Sequence, residues 1–191
     1  MSELGGFKSE LIDLAQLLEK SQVPYMIIGG LANAVWGNPR ATIDIDVAVW
    51  VPDERITDVL KAIEKNYTLR VEKPLAFISE TRVLPVKSKC DLNIDIIFGA
   101  LPFEKAAIDR AVAVDVGDAR IKFCTAEDLV LLKIISERPQ DLEDVRSILQ
   151  FQKNNLDSDY LEPRVASLSD LLDRPDMMRS YKKWKAASPR K

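Results

Sequence analysis

The 191-residue sequence contains no histidine. That absence removes histidine triads, histidine general bases and the usual zinc sites, so any catalysis must rest on carboxylates, lysine, arginine, tyrosine, hydroxyls or a metal ion. Cysteine is scarce as well. Cys90 and Cys124 are widely spaced in segments that read as strands, which suits buried free thiols in a reducing compartment and argues against metal binding through sulfur. Long apolar runs are missing too. The first twenty residues carry Glu3, Lys8, Glu10 and Asp13 among their apolar positions, which fits neither a signal peptide nor a membrane span, and the expectation is a cytoplasmic protein with no membrane partner. Nor is there an excess of positive charge. The net charge of −3 means that only a local patch could bind nucleic acid.

What the sequence does have is 47% hydrophobic and 30% charged residues without repeats or low-complexity tracts, the composition of a globular domain long enough to bury its own core. The pattern reads as α/β, of the α+β kind: a mixed sheet flanked by helices over residues 1–124, then a helical extension over 125–191 with a basic tail. Residues 9–20 form an amphipathic helix, and 25–28 a short apolar strand that runs into Gly29-Gly30 and a brief helix ending near Gly37-Asn38-Pro39. Residues 43–50 alternate as a strand, with Ile43, Ile45, Val47 and Val49 on one face and Asp44 and Asp46 on the other. A helix of roughly a dozen residues follows Pro52, burying Ile56, Val59, Leu60 and Ile63. Residues 69–98 read as two or three further strands, the clearest being 83–86 and 92–98. A helix from Pro102, a hairpin turning at Gly117-Asp118, and a helix capped by Thr125 with Asp128 complete this half. Beyond residue 125 the chain reads as helical, with an end expected to fray past Tyr181.

Asp44 and Asp46 stand two apart on one strand face, so both can serve the same ion pair without distorting the backbone. Oxygen ligands of this kind favour Mg²⁺ or Mn²⁺ over zinc or copper. Gly29 and Gly30, where a strand turns into a helix, would let backbone amides approach phosphates beside that face. A third carboxylate could come from the 92–98 strand, where residues 91, 93 and 95 share a face and leave Asp91 and Asp95 in competition. Each feature has a plainer explanation: a solvated strand face for the aspartates, an ordinary turn for the glycines, and a snorkelling side chain for Lys133. For Asp141 and Asp144 it is dipole-favoured acids at a helix start, and Arg40 and Thr42 could be an exposed strand entry.

Ile28-Gly29-Gly30, thirteen intervening residues, then Asp44-Ile45-Asp46-Val47 resembles the signature of the DNA polymerase β superfamily of nucleotidyltransferases. The stretch Arg40-x-Thr42-x-Asp44-x-Asp46 is similar to the AbiEii and MenT group of minimal nucleotidyltransferase toxins. The resemblance implies a nucleotidyltransferase fold in which Asp44, Asp46 and Asp95 hold the ions, and in which Gly29, Gly30, Arg40 and Thr42 face the nucleotide. It implies a downstream group of Lys133, Arg138, Asp141 and Asp144, with Lys133 and Arg138 toward the triphosphate and Asp141 or Asp144 near the nucleotide or acceptor. The activity implied is transfer of a nucleotidyl group from a nucleoside triphosphate to a hydroxyl, with an RNA or tRNA 3′ end as acceptor, in the setting of a toxin paired with an antitoxin. An aminoglycoside-like or lincosamide-like drug, or a protein side chain, is the alternative acceptor. A catalytically inactive interaction protein on the same fold is the alternative of a different class. Arg179, Lys182, Lys183, Lys185, Arg190 and Lys191, with Tyr181 and Trp184, form the one basic and aromatic stretch suited to RNA.

Overall fold

The computed structural model describes residues 3–39, 44–136 and 138–187. It divides into two compact units, one of residues 1–31 and 41–124, the other of residues 32–40 and 125–191.

The first unit is built on a seven-stranded sheet. After helix α1 (Glu3–Lys20) come strand β1 (Tyr25–Ile27), the start of helix α2 (Gly29–Trp36) and strand β2 (Asp44–Val49). A 3-10 turn (Asp53–Arg55) leads into α3 (Ile56–Glu64), then β3 (Thr68–Leu69), α4 (Pro74–Thr81), β4 (Val83–Lys87) and β5 (Asn93–Phe98). Helix α5 (Pro102–Asp109) and the hairpin β6 (Val112–Val116) and β7 (Ala119–Phe123) close the unit. The strand order is β3-β4-β5-β2-β1-β7-β6. β2 lies parallel to β5 and antiparallel to β1, while β1 runs parallel to β7 and the remaining neighbours are antiparallel.

Period-two alternation does the sorting. Ile45, Val47 and Val49 of β2, Leu84 and Val86 of β4, and Ile94, Ile96 and Phe98 of β5 are all buried on one face. Burying each such side chain is worth about 1.5–3 kcal/mol relative to leaving it in water. Asp44, Asp46, Lys87, Asn93 and Asp95 lie on the opposite face, beside the apolar Ala48, Val83, Pro85 and Ile97. The stripe of α3 is buried as its spacing requires, at Ile56, Val59, Leu60 and Ile63.

The second unit carries the end of α2 and four helices: α6 (Ala126–Ile134), α7 (Pro139–Phe151), α8 (Ser158–Leu171) and α9 (Pro175–Ala186). Thr125 caps α6, its hydroxyl accepting from the Asp128 amide at 3.1 Å and donating to the Asp128 carboxylate at 2.8 Å.

Residues 74–81 form a helix that the sequence reading does not anticipate, because Pro74 fixes the first helical turn and Ile78 supplies the one buried anchor. Three expectations need correction. Cys90 sits exposed in the turn between β4 and β5, and only Cys124 is buried. Asp91 lies in the same turn at φ 66° and pairs with Lys87 at 2.7 Å, so it does not share a strand face with Asp95. The chain does not fray at Tyr181. α9 runs on to Ala186 because Tyr181 is wholly buried and Lys185 pairs with Glu162 at 3.2 Å.

Candidate functional site

In the first unit, the register of β2 on β5 places Asp44 opposite Asn93 and Asp46 opposite Asp95. Side chains at matching positions of neighbouring strands project from the same face, about 4.8 Å apart along the sheet. Two carboxylates therefore stand side by side, with Asp44 one step along β2. Asn93 donates its amide to Asp44 at 3.1 Å, which orients that carboxylate.

The glycine turn meets this face directly. Gly29 has φ 64°, a backbone that a side chain disfavours, and the amide of Ile28 donates to the Asp46 carbonyl at 3.0 Å. A methyl group at Gly29 would overlap the Asp46 carboxylate, standing 2.7 Å from its Cγ and 2.9 Å from its Cβ. No other residue type fits there without moving Asp46. Gly30 follows in the first turn of α2.

Asp95 is the unusual carboxylate. Its Oδ1 is enclosed and has no hydrogen-bond partner, although the side chain as a whole is 42% exposed. Burial pushes its carboxyl above the usual range; the Arg70 guanidinium pulls it back, and the Asp44 carboxylate adds to the rise. Arg70 Nη1 stands 3.8 Å from that Oδ1.

The donor set fits a hard divalent ion: carboxylate oxygens on adjacent strands, one of them unpartnered. Among the described residues, no three of His, Cys, Asp and Glu form a closed cage on their own.

In the second unit, Lys133, Asp141 and Asp144 come together as a buried ion cluster, with the exposed Arg138 paired to Asp141 at its edge. Lys133 is only 6% exposed, and its Nζ lies 2.7 Å from Asp141 Oδ1 and 2.8 Å from Asp144 Oδ2. Arg138 Nε donates to the other Asp141 oxygen at 2.6 Å, and Asn33 Nδ2 to Asp144 Oδ1 at 3.1 Å. Burial resists ionisation of Asp141, but hydrogen bonds from Lys133 and Ser136, the Lys133 charge and the Arg138 hydrogen bond hold its carboxyl below the usual range. The ammonium does not snorkel. Arg40 and Thr42 lie outside the described residues. The basic stretch loses one stacking ring, since Tyr181 is buried, and Arg190 and Lys191 also lie outside the described residues.

Sequence reasoning missed Arg70 and Pro85, which the register places in the same row as Asp46 and Asp95. Nothing local marks Arg70, whose relation to Asp95 exists only once β3 pairs with β4 and β4 with β5. Among the described residues no helix is long and apolar enough to cross a membrane.

Residues 8–188 match the family described as "Nucleotidyltransferase of unknown function (DUF6036)". No curated protein sequence matches the chain. Among solved structures, the chain is similar to an antigenic nucleotidyltransferase-like protein from Paracoccidioides brasiliensis, with 20% identity, 92% of each chain covered and a TM-score of 0.54. It is similar to the antibiotic-resistance factor ANT(2'')-Ia at 13% identity, with 94% of this chain and 98% of that one covered and a TM-score of 0.59. It is also similar to the lincosamide antibiotic adenylyltransferase LnuA, at 18% identity, 73% and 94% coverage and a TM-score of 0.50. At these identities the likeness is one of fold: a mixed sheet flanked by helices.

Proposed function

Because the chain belongs to the nucleotidyltransferase family DUF6036, we propose that it moves a nucleoside monophosphate from a nucleoside triphosphate to an acceptor hydroxyl, with Mg²⁺ or Mn²⁺, on the face formed by β2 and β5. The observation that carries this reading is the row Asp46–Asp95 with Gly29 pressed against Asp46. Asp44, Asp46 and Asp95 bind the cation, and Asn93 holds the Asp44 carboxylate in place. The Gly29–Gly30 turn brings backbone amides at a helix start to the phosphates, where the absence of side chains permits close approach. A divalent ion held by Asp44, Asp46 and Asp95 would neutralise phosphate charge and activate the attacking hydroxyl.

Lys133, Arg138, Asp141 and Asp144 act in this reading by position. Lys133 is committed to two buried carboxylates, and a direct contact with triphosphate would leave both without their cation. We therefore assign the four to fixing α6 against α7. A Lys133→Arg variant that keeps stability but raises the KM for triphosphate tenfold or more would assign it to the nucleotide instead.

By the resemblance of the Arg40-to-Asp46 stretch, the acceptor is an RNA 3′ end, with tRNA the first to test, and the physiological partner is an antitoxin. A second reading, transfer to a drug hydroxyl, is favoured by the fold likeness to ANT(2'')-Ia, which spans 94% of this chain and 98% of that one. Incubation of labelled triphosphates and Mg²⁺ with total RNA, with aminoglycoside and lincosamide panels, and with lysate protein separates the acceptors. Asp46→Ala should abolish transfer to whichever is labelled. Full activity in that variant would sink the mechanism.

A further inference from the structure

Asp95 Oδ1 is enclosed, yet nothing hydrogen-bonds to it. A buried carboxylate oxygen left in that state normally costs about 1–3 kcal/mol or more, so its persistence calls for a partner that is present only part of the time. Arg70 is the side chain nearby with the right charge. Its Nη1 lies 3.8 Å from Oδ1, close enough to offset charge and too far to hydrogen-bond. The Arg70 side chain is 41% exposed, so it is not enclosed by packing on all sides.

The backbone explains how Arg70 comes to be so placed. β3 pairs with β4 at Thr68 with Lys87 and at Leu69 with Val86. One residue on, the Arg70 amide donates to the Pro85 carbonyl at 3.0 Å, but proline has no N–H to return the bond, and the ladder stops. Pro85 is itself the cross-strand partner of Asp95. Arg70 is thus anchored by its main chain in the carboxylate row, at the end of a strand, with its side chain partly exposed.

We propose that Arg70 is an exchangeable counter-charge: it balances the Asp46–Asp95 pair when no ion is bound, then yields Asp95 Oδ1 to the cation and swings its planar fork of N–H donors onto the triphosphate. This rests on the metal-dependent reading of the face given above. A guanidinium suits both duties, because it stays charged and matches phosphate oxygens in bidentate fashion. Lysine would not do the second as well.

The test uses the whole protein and two separate readouts. Mn²⁺ binding is measured without nucleotide by electron paramagnetic resonance, and the KM for triphosphate is measured with saturating Mg²⁺. Arg70→Ala should bind Mn²⁺ alone about two- to fivefold more tightly, as expected for removing an exposed ionic competitor. The same variant should raise the KM for triphosphate roughly ten- to a hundredfold, the value of losing charge-assisted hydrogen bonds. Arg70→Lys should restore the Mn²⁺ affinity of the unsubstituted protein but only part of the KM. Lys87→Ala, which removes a like charge already paired with Asp91 at 2.7 Å, should tighten Mn²⁺ binding less than Arg70→Ala. A residue that merely supports the fold would weaken both properties, and a simple phosphate ligand would leave Mn²⁺ binding alone unchanged. Either result overturns the proposal, as does an equal gain from Lys87→Ala. Should Arg70→Ala not fold, Arg70→Gln carries the same expectations. If the unsubstituted protein binds no Mn²⁺–triphosphate, the functional reading and this inference fall together; if it binds and the Arg70 variants are silent, only the inference falls.

Discussion

At the scale of single residues, Gly29 makes the strongest demand. Its φ of 64° and the Asp46 carboxylate against its Cα each exclude a side chain. Gly29→Ala should lower stability by about 1–3 kcal/mol through backbone strain and displace Asp46. Thermal melting would register the first effect. Loss of labelled-nucleotide transfer in a variant still folded at assay temperature would register the second. The Asp44 and Asp46 alternation was legible because strand period is a local property, and the following glycine turn marked the place where chain and phosphate could meet. The preference for Asp95 over Asp91 rested on the resemblance alone: Asp91 lies in a turn at φ 66°, and no alternation rule predicts where a strand begins.

Elements show where local signals win and where they fail. Thr125 caps α6 as its sequence announces, and Thr125→Ala should cost about 1 kcal/mol in chemical denaturation while Thr125→Ser costs little. α4 escaped notice because eight residues with one buried side chain carry too little periodicity, although a proline at its first position was the available clue. The tail beyond Tyr181 misled for the opposite reason. Lysines dominate its composition, but one buried ring and one ion pair keep it helical as far as Ala186.

The α6–α7 ion cluster belongs to this scale as well. Removing Lys133 from between two buried carboxylates, as in Lys133→Met, should destabilise by about 3–5 kcal/mol at neutral pH. The pH dependence has a definite sign. Because the folded-state carboxyl of Asp141 is held below its unfolded value, its contribution is complete above about pH 4 and is lost as pH falls through the lower, folded value. Denaturation curves at pH 7, 4 and 3 should therefore show a smaller gap between the unsubstituted protein and Lys133→Met at pH 3 than at pH 7. A gap that stays constant to pH 3 would mean that the cluster's electrostatics contribute nothing.

For the molecule as a whole, the family match over residues 8–188 agrees with the resemblance carried by Gly29-Gly30 and Asp44-x-Asp46, and the mixed α/β architecture agrees with the hydrophobic pattern. Charge offers a way to decide the acceptor. With a net charge of −3, binding to RNA would depend on local basic groups such as Arg179, Lys182 and Lys183, and KM for an RNA acceptor should climb steeply between low and moderate salt. A drug acceptor should show far weaker dependence.

The sheet order also bears on the time course of folding. Asp44 and Asn93, which share a hydrogen bond across β2 and β5, are 49 positions apart in the chain, and β1 waits for β7. Contacts this distant form slowly, after the loop-closure entropy of the intervening segments has been met. The row of carboxylates therefore has no local precursor, and half of the first unit cannot assemble a weaker version of it. In a refolding experiment, Mn²⁺ affinity should return in the same kinetic phase as the cooperative burial of the sheet, never ahead of it.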